Sequence, residues 1–166
     1  MANSHNTPLE YRLGVGIMLV NKHKQVFVGL RLDHEQTGFD AWQMPQGGID
    51  PYETPLTAAS RELLEEVGID SVSIIAEHSE WLFYDLPPEL INQVWNGKYR
   101  GQKQKWFLMQ FTGDDALINI NTQNPEFIAW RWEDMNDIVS NIVPFKRNLY
   151  RQIIAEFSPI IAKLPK

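Results

Sequence analysis

The chain has no cysteine among its 166 residues, which excludes disulfide staples, thiolate metal sites and a cysteine nucleophile. Any metal must therefore sit on oxygen or nitrogen. It also lacks any run of about 18 uncharged apolar residues, and its first residues, MANSHNTPLEYR, carry no basic segment followed by an apolar one. That pattern predicts a cytoplasmic protein with no membrane partner. An excess of positive charge is missing too: 21 acids against 15 bases give a net charge of −6 and a pI near 5.2. Such a balance argues against coating nucleic acid through a general basic surface, and no DNA partner is expected. Repeats and low-complexity stretches are absent. His5, His23, His34 and His78 show no metal-ligand spacing, and no Ser-His-Asp constellation stands out.

What is present is an ordinary globular composition. Hydrophobic residues make up 43% and aromatics 11%, too much for a disordered chain, and the length suits one domain. Residues 1–10 read as a flexible N-terminus and residues 11–163 as a single domain. Charge is uneven: residues 1–97 hold 14 acids against 5 bases, whereas residues 98–166 hold 7 against 10. The net charges of −9 and +3 leave room for a local basic patch, and ordinary solvated surfaces account for them equally.

Residues 11–20 and 25–30 are rich in Leu, Val and Ile on either side of Asn21-Lys22-His23-Lys24, which predicts two strands paired as a hairpin. Residues 32–40 read as a polar surface loop. A short strand over 41–45 leads into Gly47-Gly48, where paired glycines permit positive φ or close approach to a ligand. Thr54 is placed as an N-cap with Pro55 in the first helical position, and the helix over 56–67 stops at Gly68. Ala59, Leu63 and Val67 share its core-facing stripe. Further strands are expected over 72–76, 81–84, 105–112 and 127–132, with a helical turn after Pro87-Pro88. A long terminal helix over 145–163 buries Leu149, Ile153, Phe157 and Ile160 or Ile161. Strands before and after a central helix, plus a closing helix, predict an α/β fold with a sheet between helices.

The chemical content concentrates in residues 47–69, GGIDPYETPLTAASRELLEEVGI. On a helix Glu62, Glu65 and Glu66 stand at i, i+3 and i+4, so three carboxylates share one face. Each like-charge pair costs ~0.2–0.5 kcal/mol on an exposed helix and more where partly buried. Arg61 is one cation against four carboxylates once Glu53 is counted. A hard divalent ion such as Mg²⁺ suits this oxygen-only set, taking a few carboxylates and completing its shell with water and substrate phosphate. A solvated acidic helix face is the bland alternative.

At every defined position this segment resembles the Nudix box, G-x5-E-x7-R-E-U-x-E-E-x-G-U with U aliphatic: Gly47, Glu53, Arg61, Glu62, Leu63, Glu65, Glu66, Gly68 and Ile69. The resemblance implies a Nudix α/β/α sandwich with a mixed β-sheet, the box forming a loop-helix-loop. It implies hydrolysis of a nucleoside diphosphate linked to another group, with Mg²⁺ or Mn²⁺ as cofactor and more than one ion. Glu62, Glu65, Glu66 and the Gly47 carbonyl would hold the metals. Glu62 or a neighbour such as Glu66 would assist water deprotonation, while Arg61 and Glu53 would brace the loop against the helix. Divalent ions neutralise and position a polyphosphate and lower the pKa of bound water, so no covalent nucleophile is required.

Other stretches are similar to one Nudix branch: Tyr11 to Gly16 (YRLGVG), Trp42 to Gly48 (WQMPQGG), Gly101 to Phe107 (GQKQKWF), Pro125-Glu126-Phe127 and Val143 to Arg147 (VPFKR). Together they resemble the bacterial RNA pyrophosphohydrolases, also described as dinucleoside polyphosphate hydrolases or invasion-associated protein A. That likeness implies removal of pyrophosphate from 5′-triphosphorylated RNA, promoting mRNA decay, or cleavage of diadenosine tetra- and pentaphosphates as the alternative substrate. By resemblance Glu126 would be a further metal carboxylate, while Arg12, Arg31, Gln43, Lys103, Lys105 and Lys146 would line the phosphate path. Val143 and Phe145 would hold a base. The plainer alternatives are a solvated Glu126, edge-strand lysines at 103 and 105, and a core Phe145. Trp42, Trp106, Trp130 and Trp132 are expected to be packing. An extra stretch around residues 92–99 departs from the simplest pattern of that branch.

Overall fold

A computed structural model describes residues 8–33 and 41–165. Seven of the ten residues expected as a loose N-terminus, and most of the 32–40 loop, lie outside the described residues, and Glu10 already opens the first strand. Eight strands make one mixed sheet: β1 (Glu10–Val20), β2 (Val26–Arg31), β3 (Trp42–Gln43), β4 (Gln46–Gly48), β5 (Val72–Glu77), β6 (Leu82–Asp85), β7 (Tyr99–Phe111) and β8 (Phe127–Glu133). The helices are α1 (Pro55–Val67), α2 (Pro88–Ile91), α3 (Ile138–Asn141) and α4 (Arg147–Ala162), with 3-10 turns at Trp95–Gly97, Asp115–Leu117 and Pro144–Lys146. No helix among the described residues is long and apolar enough to cross a membrane.

The parallel pair β1–β7 is the axis of the sheet, running in register from Tyr11 opposite Gly101 to Val20 opposite Gln110. Because side chains alternate along a strand, this axis serves two cores. Val15, Ile17 and Leu19 of β1, with Phe107, Met109 and Phe111 of β7, face Ala59, Leu63 and Val67 of α1. Met18, Val20, Trp106 and Leu108 point the other way, against Leu149, Ile153, Phe157 and Ile161 of α4. The result is the expected α/β/α layering, with Ile161 rather than Ile160 fully buried.

The expected antiparallel hairpin forms across Asn21–Lys24, but it is short. β1 and β2 pair at Val20 opposite Val26 and then part, because the edges of β1 are taken by β7 and by β4. β2 pairs instead with β3 and β8. That divergence opens the sheet where β1, β4 and β7 meet. The strand expected over 105–112 begins earlier, at Tyr99, so that its Gln and Lys residues alternate between two faces.

α1 starts as expected, with the Thr54 hydroxyl accepting the Thr57 N–H at 3.1 Å, and ends on Gly68 at φ 75°. Gly47 and Gly48 lie in β4, and neither has positive φ. Their lack of a side chain matters for space instead. A Cβ on Gly47 would sit 2.0 Å from the Glu62 carboxyl carbon.

Candidate active site

A cleft of about 890 Å³ opens beside β4, bounded by α1, the β6–β7 connection and the turn before α4. Glu62, Glu65, Glu66 and Glu126 line it together with Gly47, Arg12, Arg31, Gln43, Val143, Phe145 and Lys146. Eleven residues from six separate stretches of sequence are thereby brought to one place.

The carboxylate wall is built by α1. Packing its Ala59–Leu63–Val67 stripe on the sheet turns Glu66 inward, to 4% exposure, while Glu65 stays largely solvated. The Glu66 carboxylate accepts the Gln46 N–H at 3.3 Å and forms no salt bridge with any described cation. Burial pushes its pKa well above the ordinary carboxylate range, and the charges of Glu62 and Glu126 push the same way. Burial raises Glu62 too, against the opposing pull of Arg61.

Arg61 sits at the hub of the loop. Its Nε and Nη2 donate to Glu53 at 2.7 and 2.9 Å, and Nη2 also donates to the Gly48 carbonyl at 2.9 Å. Its Nη1 reaches Glu62 at 2.9 Å and Glu65 at 3.3 Å. Glu53 in turn accepts the Asp50 N–H at 2.9 Å. Hydrogen bonds from Arg61, then from the Asp50 backbone, hold the Glu53 pKa down at about 2. The pair thus pins the loop following β4 to α1, which is bracing rather than chemistry.

Basic side chains line the same cleft. Arg31 is bound bidentately by Asp33 at 2.8 and 2.9 Å, and its Nη1 reaches Gln43 at 3.5 Å. Lys146 is buried, with its Nζ 3.4 Å from the Gln43 Oε1 and 5.0 Å from the Tyr84 ring centroid. Burial drives the Lys146 pKa down to about 7, and the charge of Arg31 acts in the same direction. Phe145 is half-buried and tilts against Tyr84, centroids 5.9 Å apart, at the edge of the α4-side core.

Lys103 and Lys105 do not join this group, and their placement corrects the expected phosphate path. Strand alternation puts Gln102 on the cleft side, so Lys103 and Lys105 fall on the other face, over the Trp81 ring. Lys105 pairs there with Glu77 at 3.5 Å. Nor are they edge-strand charges, because β7 is paired on both sides.

Sequence reasoning missed Gln46, Tyr84, Gln102 and Trp95, all of which line the cleft. The signal for the first three was periodicity. Gln102, Gln104 and Trp106 are alternate residues of β7, and they form a buried ladder: the Trp106 Nε1 donates to Gln104 at 2.9 Å, and Gln104 donates to Gln102 and, at 3.0 Å, to Gln46. The Tyr84 hydroxyl joins it at Gln102, 3.3 Å away. The polar stretch GQKQKWF is therefore one row of cleft supports interleaved with one row of opposite-face lysines. Trp106 is packing, as expected, at 0% exposure.

The donor set suits a divalent cation. Every metal-capable side chain in the cleft presents oxygen, the carboxylates foremost, and the most buried of these, Glu66, forms no ion pair with any described cation. Among the described residues no three His, Asp or Glu groups converge closely enough to enclose an ion in their present rotamers. Glu62 and Glu65 are both paired with Arg61.

Residues 10–153 match the NUDIX domain family. A protein of Rickettsia canadensis named RNA pyrophosphohydrolase is 54% identical over 160 residues, covering 96% of this chain and 98% of the relative. Among solved structures, a Caenorhabditis elegans Ap4A hydrolase binary complex aligns with TM-score 0.62 at 22% identity, over 89% of this chain and 98% of that one. A MutT protein from Methanosarcina mazei Go1 aligns with TM-score 0.65 at 17% identity, over 91% and 98%. The two structures share the fold. On the family match and the near-full-length identity, the chain belongs to the Nudix hydrolase family.

Proposed function

We propose that this cleft hydrolyses the pyrophosphate linkage at the 5′-triphosphate end of RNA, leaving a 5′-monophosphate and so promoting mRNA decay. The observation that carries the reading is a cleft that gathers Glu62, Glu65, Glu66 and Glu126 together with Arg12, Arg31 and Lys146. A polyphosphate is the ligand that suits both, because carboxylates would hold the divalent ions that neutralise it while basic side chains meet the remaining charge. The name borne by the Rickettsia relative supports RNA as the substrate.

Nudix hydrolases generally use divalent metals, and Mg²⁺ or Mn²⁺ would be held here by Glu62, Glu65, Glu66, Glu126 and the Gly47 carbonyl. When bound, such ions neutralise the phosphates and lower the pKa of a coordinated water. Glu62 and Glu66, made more basic by burial, are the groups that would take a proton from the attacking water. Water oxygen adds to phosphorus, the anhydride bond between the α and β phosphoryl groups breaks, and pyrophosphate leaves. Arg61 and Glu53 act by fixing the loop. Val143 and Phe145, beside Tyr84, supply the apolar wall for a base, where stacking is worth ~1–3 kcal/mol.

The test is kcat/KM on a 5′-triphosphorylated oligonucleotide and on diadenosine tetraphosphate in one Mg²⁺ buffer. The oligonucleotide is expected to be preferred. An advantage of about a hundredfold for the dinucleotide, some 2.7 kcal/mol of transition-state preference, would make the protein a dinucleoside polyphosphate hydrolase instead.

A further inference from the structure

Arg12 differs from its neighbours in having nothing to neutralise it. Arg31 is held by Asp33, Arg61 by three glutamates and Arg100 by Asp85. Among the described residues the Arg12 side chain forms no ion pair and no hydrogen bond, although Glu62, Glu66 and Glu89 line the same cleft. Two contacts hold it instead. The guanidinium lies so close to β4 that a Cβ on Gly48 would fall 2.2 Å from its Nη2. Its Cζ also stands 5.3 Å from the ring centroid of Trp95.

Trp95 reaches that position on an unusual backbone. It has φ 51°, and Asn96 after it has φ 56°, so two consecutive residues with side chains occupy the left-handed region. Glycine would fit there without strain. The Trp95 carbonyl accepts the Lys98 N–H at 3.1 Å, and the indole meets Tyr99 edge-on, centroids 6.1 Å apart. Strained non-glycine positions of this kind persist where the surrounding structure over-determines them. Here they aim a half-buried indole into the cleft lining.

We propose that Trp95 is a positioning residue: with the Gly48 backbone it holds the Arg12 guanidinium, all its N–H donors open, at the cleft wall to receive a substrate phosphate. An aromatic face fixes a guanidinium by cation–π attraction without occupying its hydrogen-bond donors, which a carboxylate partner would do. The side-chain freedom that Arg12 would lose on binding phosphate is thereby lost beforehand. The inference rests on the reading of the cleft as a polyphosphate site and adds a residue to it.

The test is a double-mutant cycle with Trp95→Leu, Trp95→Phe, Arg12→Gln and the Leu/Gln double variant, checked for fold by circular dichroism. KM and kcat are measured on a 5′-triphosphorylated oligonucleotide, and binding of inorganic tripolyphosphate with Mg²⁺ is measured by calorimetry. Trp95→Leu is expected to raise KM and weaken tripolyphosphate about fivefold, with kcat changed less than about twofold and Trp95→Phe close to the parent. In the Arg12→Gln background Trp95→Leu should add nothing. An equal loss in both backgrounds overturns the proposal, as does Trp95→Phe being as damaging as Trp95→Leu. Trp95→Met, also without a ring, takes the place of Leu in the cycle if Leu prevents folding. If the parent leaves the oligonucleotide uncut, the RNA reading fails while the tripolyphosphate arm still decides the role of Trp95. A parent that does not bind tripolyphosphate overturns it.

Discussion

Glu66 is a carboxyl group that the fold buries without an ion pair to any described cation, and the consequences for stability and for activity have opposite signs. Its pKa is raised above the unfolded value by burial. Its contribution to stability is therefore fully present below the unfolded pKa and is lost as pH rises through the folded pKa. Glu66→Gln keeps the acceptor for the Gln46 N–H and removes the charge. In chelator, the variant should match the parent in Tm near pH 4 and exceed it at pH 7–8, by about 2–4 °C for each kcal/mol relieved. Turnover should fall by about 10²–10³, the loss expected when a group that meets charge in the transition state is removed. A variant no more stable than the parent at pH 8 would mean that Glu66 is not the electrostatic burden its burial implies. Lys146 shows the converse case. Its pKa of about 7 lies below its unfolded value, so its contribution to stability, present above the unfolded pKa, is lost as pH falls through 7. In function the loss runs the other way, because a neutral amine attracts phosphate less. KM should rise between pH 7 and 9 in the parent and stay flat in Lys146→Arg, whose charge is permanent over that range.

At the scale of the elements, the loop and helix of residues 47–69 separate two kinds of glycine. At Gly47 an added Cβ meets the far end of the Glu62 side chain, a flexible group that can swing aside. Gly47→Ala should therefore leave Tm within about 2 °C while lowering kcat about tenfold or more by displacing that carboxylate. At Gly68 the backbone itself is left-handed, and the Cβ would press on the Asn119 carbonyl at 2.7 Å. Gly68→Ala should destabilise by ~1–2 kcal/mol and leave kcat per folded molecule near that of the parent. Thermal melts and active-site-normalised rates separate the pair; a stability loss at Gly47 equal to that at Gly68 would refute the distinction.

These local features were legible in the sequence because each is set by neighbours within one or two helical turns: Thr54 as cap, Gly68 as terminator and Ala59–Leu63–Val67 as stripe. Beyond the β1–β2 turn, pairing was not legible. Nothing near residues 11–30 says that β1 gives its edges to β4 and β7, because those partners come from remote sequence. Lys103 and Lys105 went astray for a related reason. A motif match identifies residues, whereas strand alternation decides which face each one occupies, and only Gln102 faces the cleft. Trp95 left no signal, as a half-buried aromatic in an irregular segment belongs to neither periodicity.

Over the whole molecule, charge divides in space differently from the way it divides along the chain. The acidic first 97 residues supply Glu62, Glu65 and Glu66 but also Arg12 and Arg31, and the basic remainder supplies Glu126 as well as Lys146. Folding brings these groups into one cleft, and mutual repulsion among its glutamates makes the folded state a better cation binder than the unfolded chain. Binding to the folded state alone stabilises it by mass action. Mg²⁺ or Mn²⁺ at about a hundred times its Kd should contribute ~2.7 kcal/mol, which in a domain of this size is a rise of about 5–10 °C in Tm. The rise should be halved or more in Glu65→Gln and in Glu66→Gln, and should persist in Lys103→Gln, which alters charge by the same amount on the opposite face of the sheet. Scanning calorimetry across a metal titration reads all four proteins. Equal shifts in the parent and the glutamate variants would locate the ions elsewhere, and no shift in the parent would remove the metal from this cleft altogether.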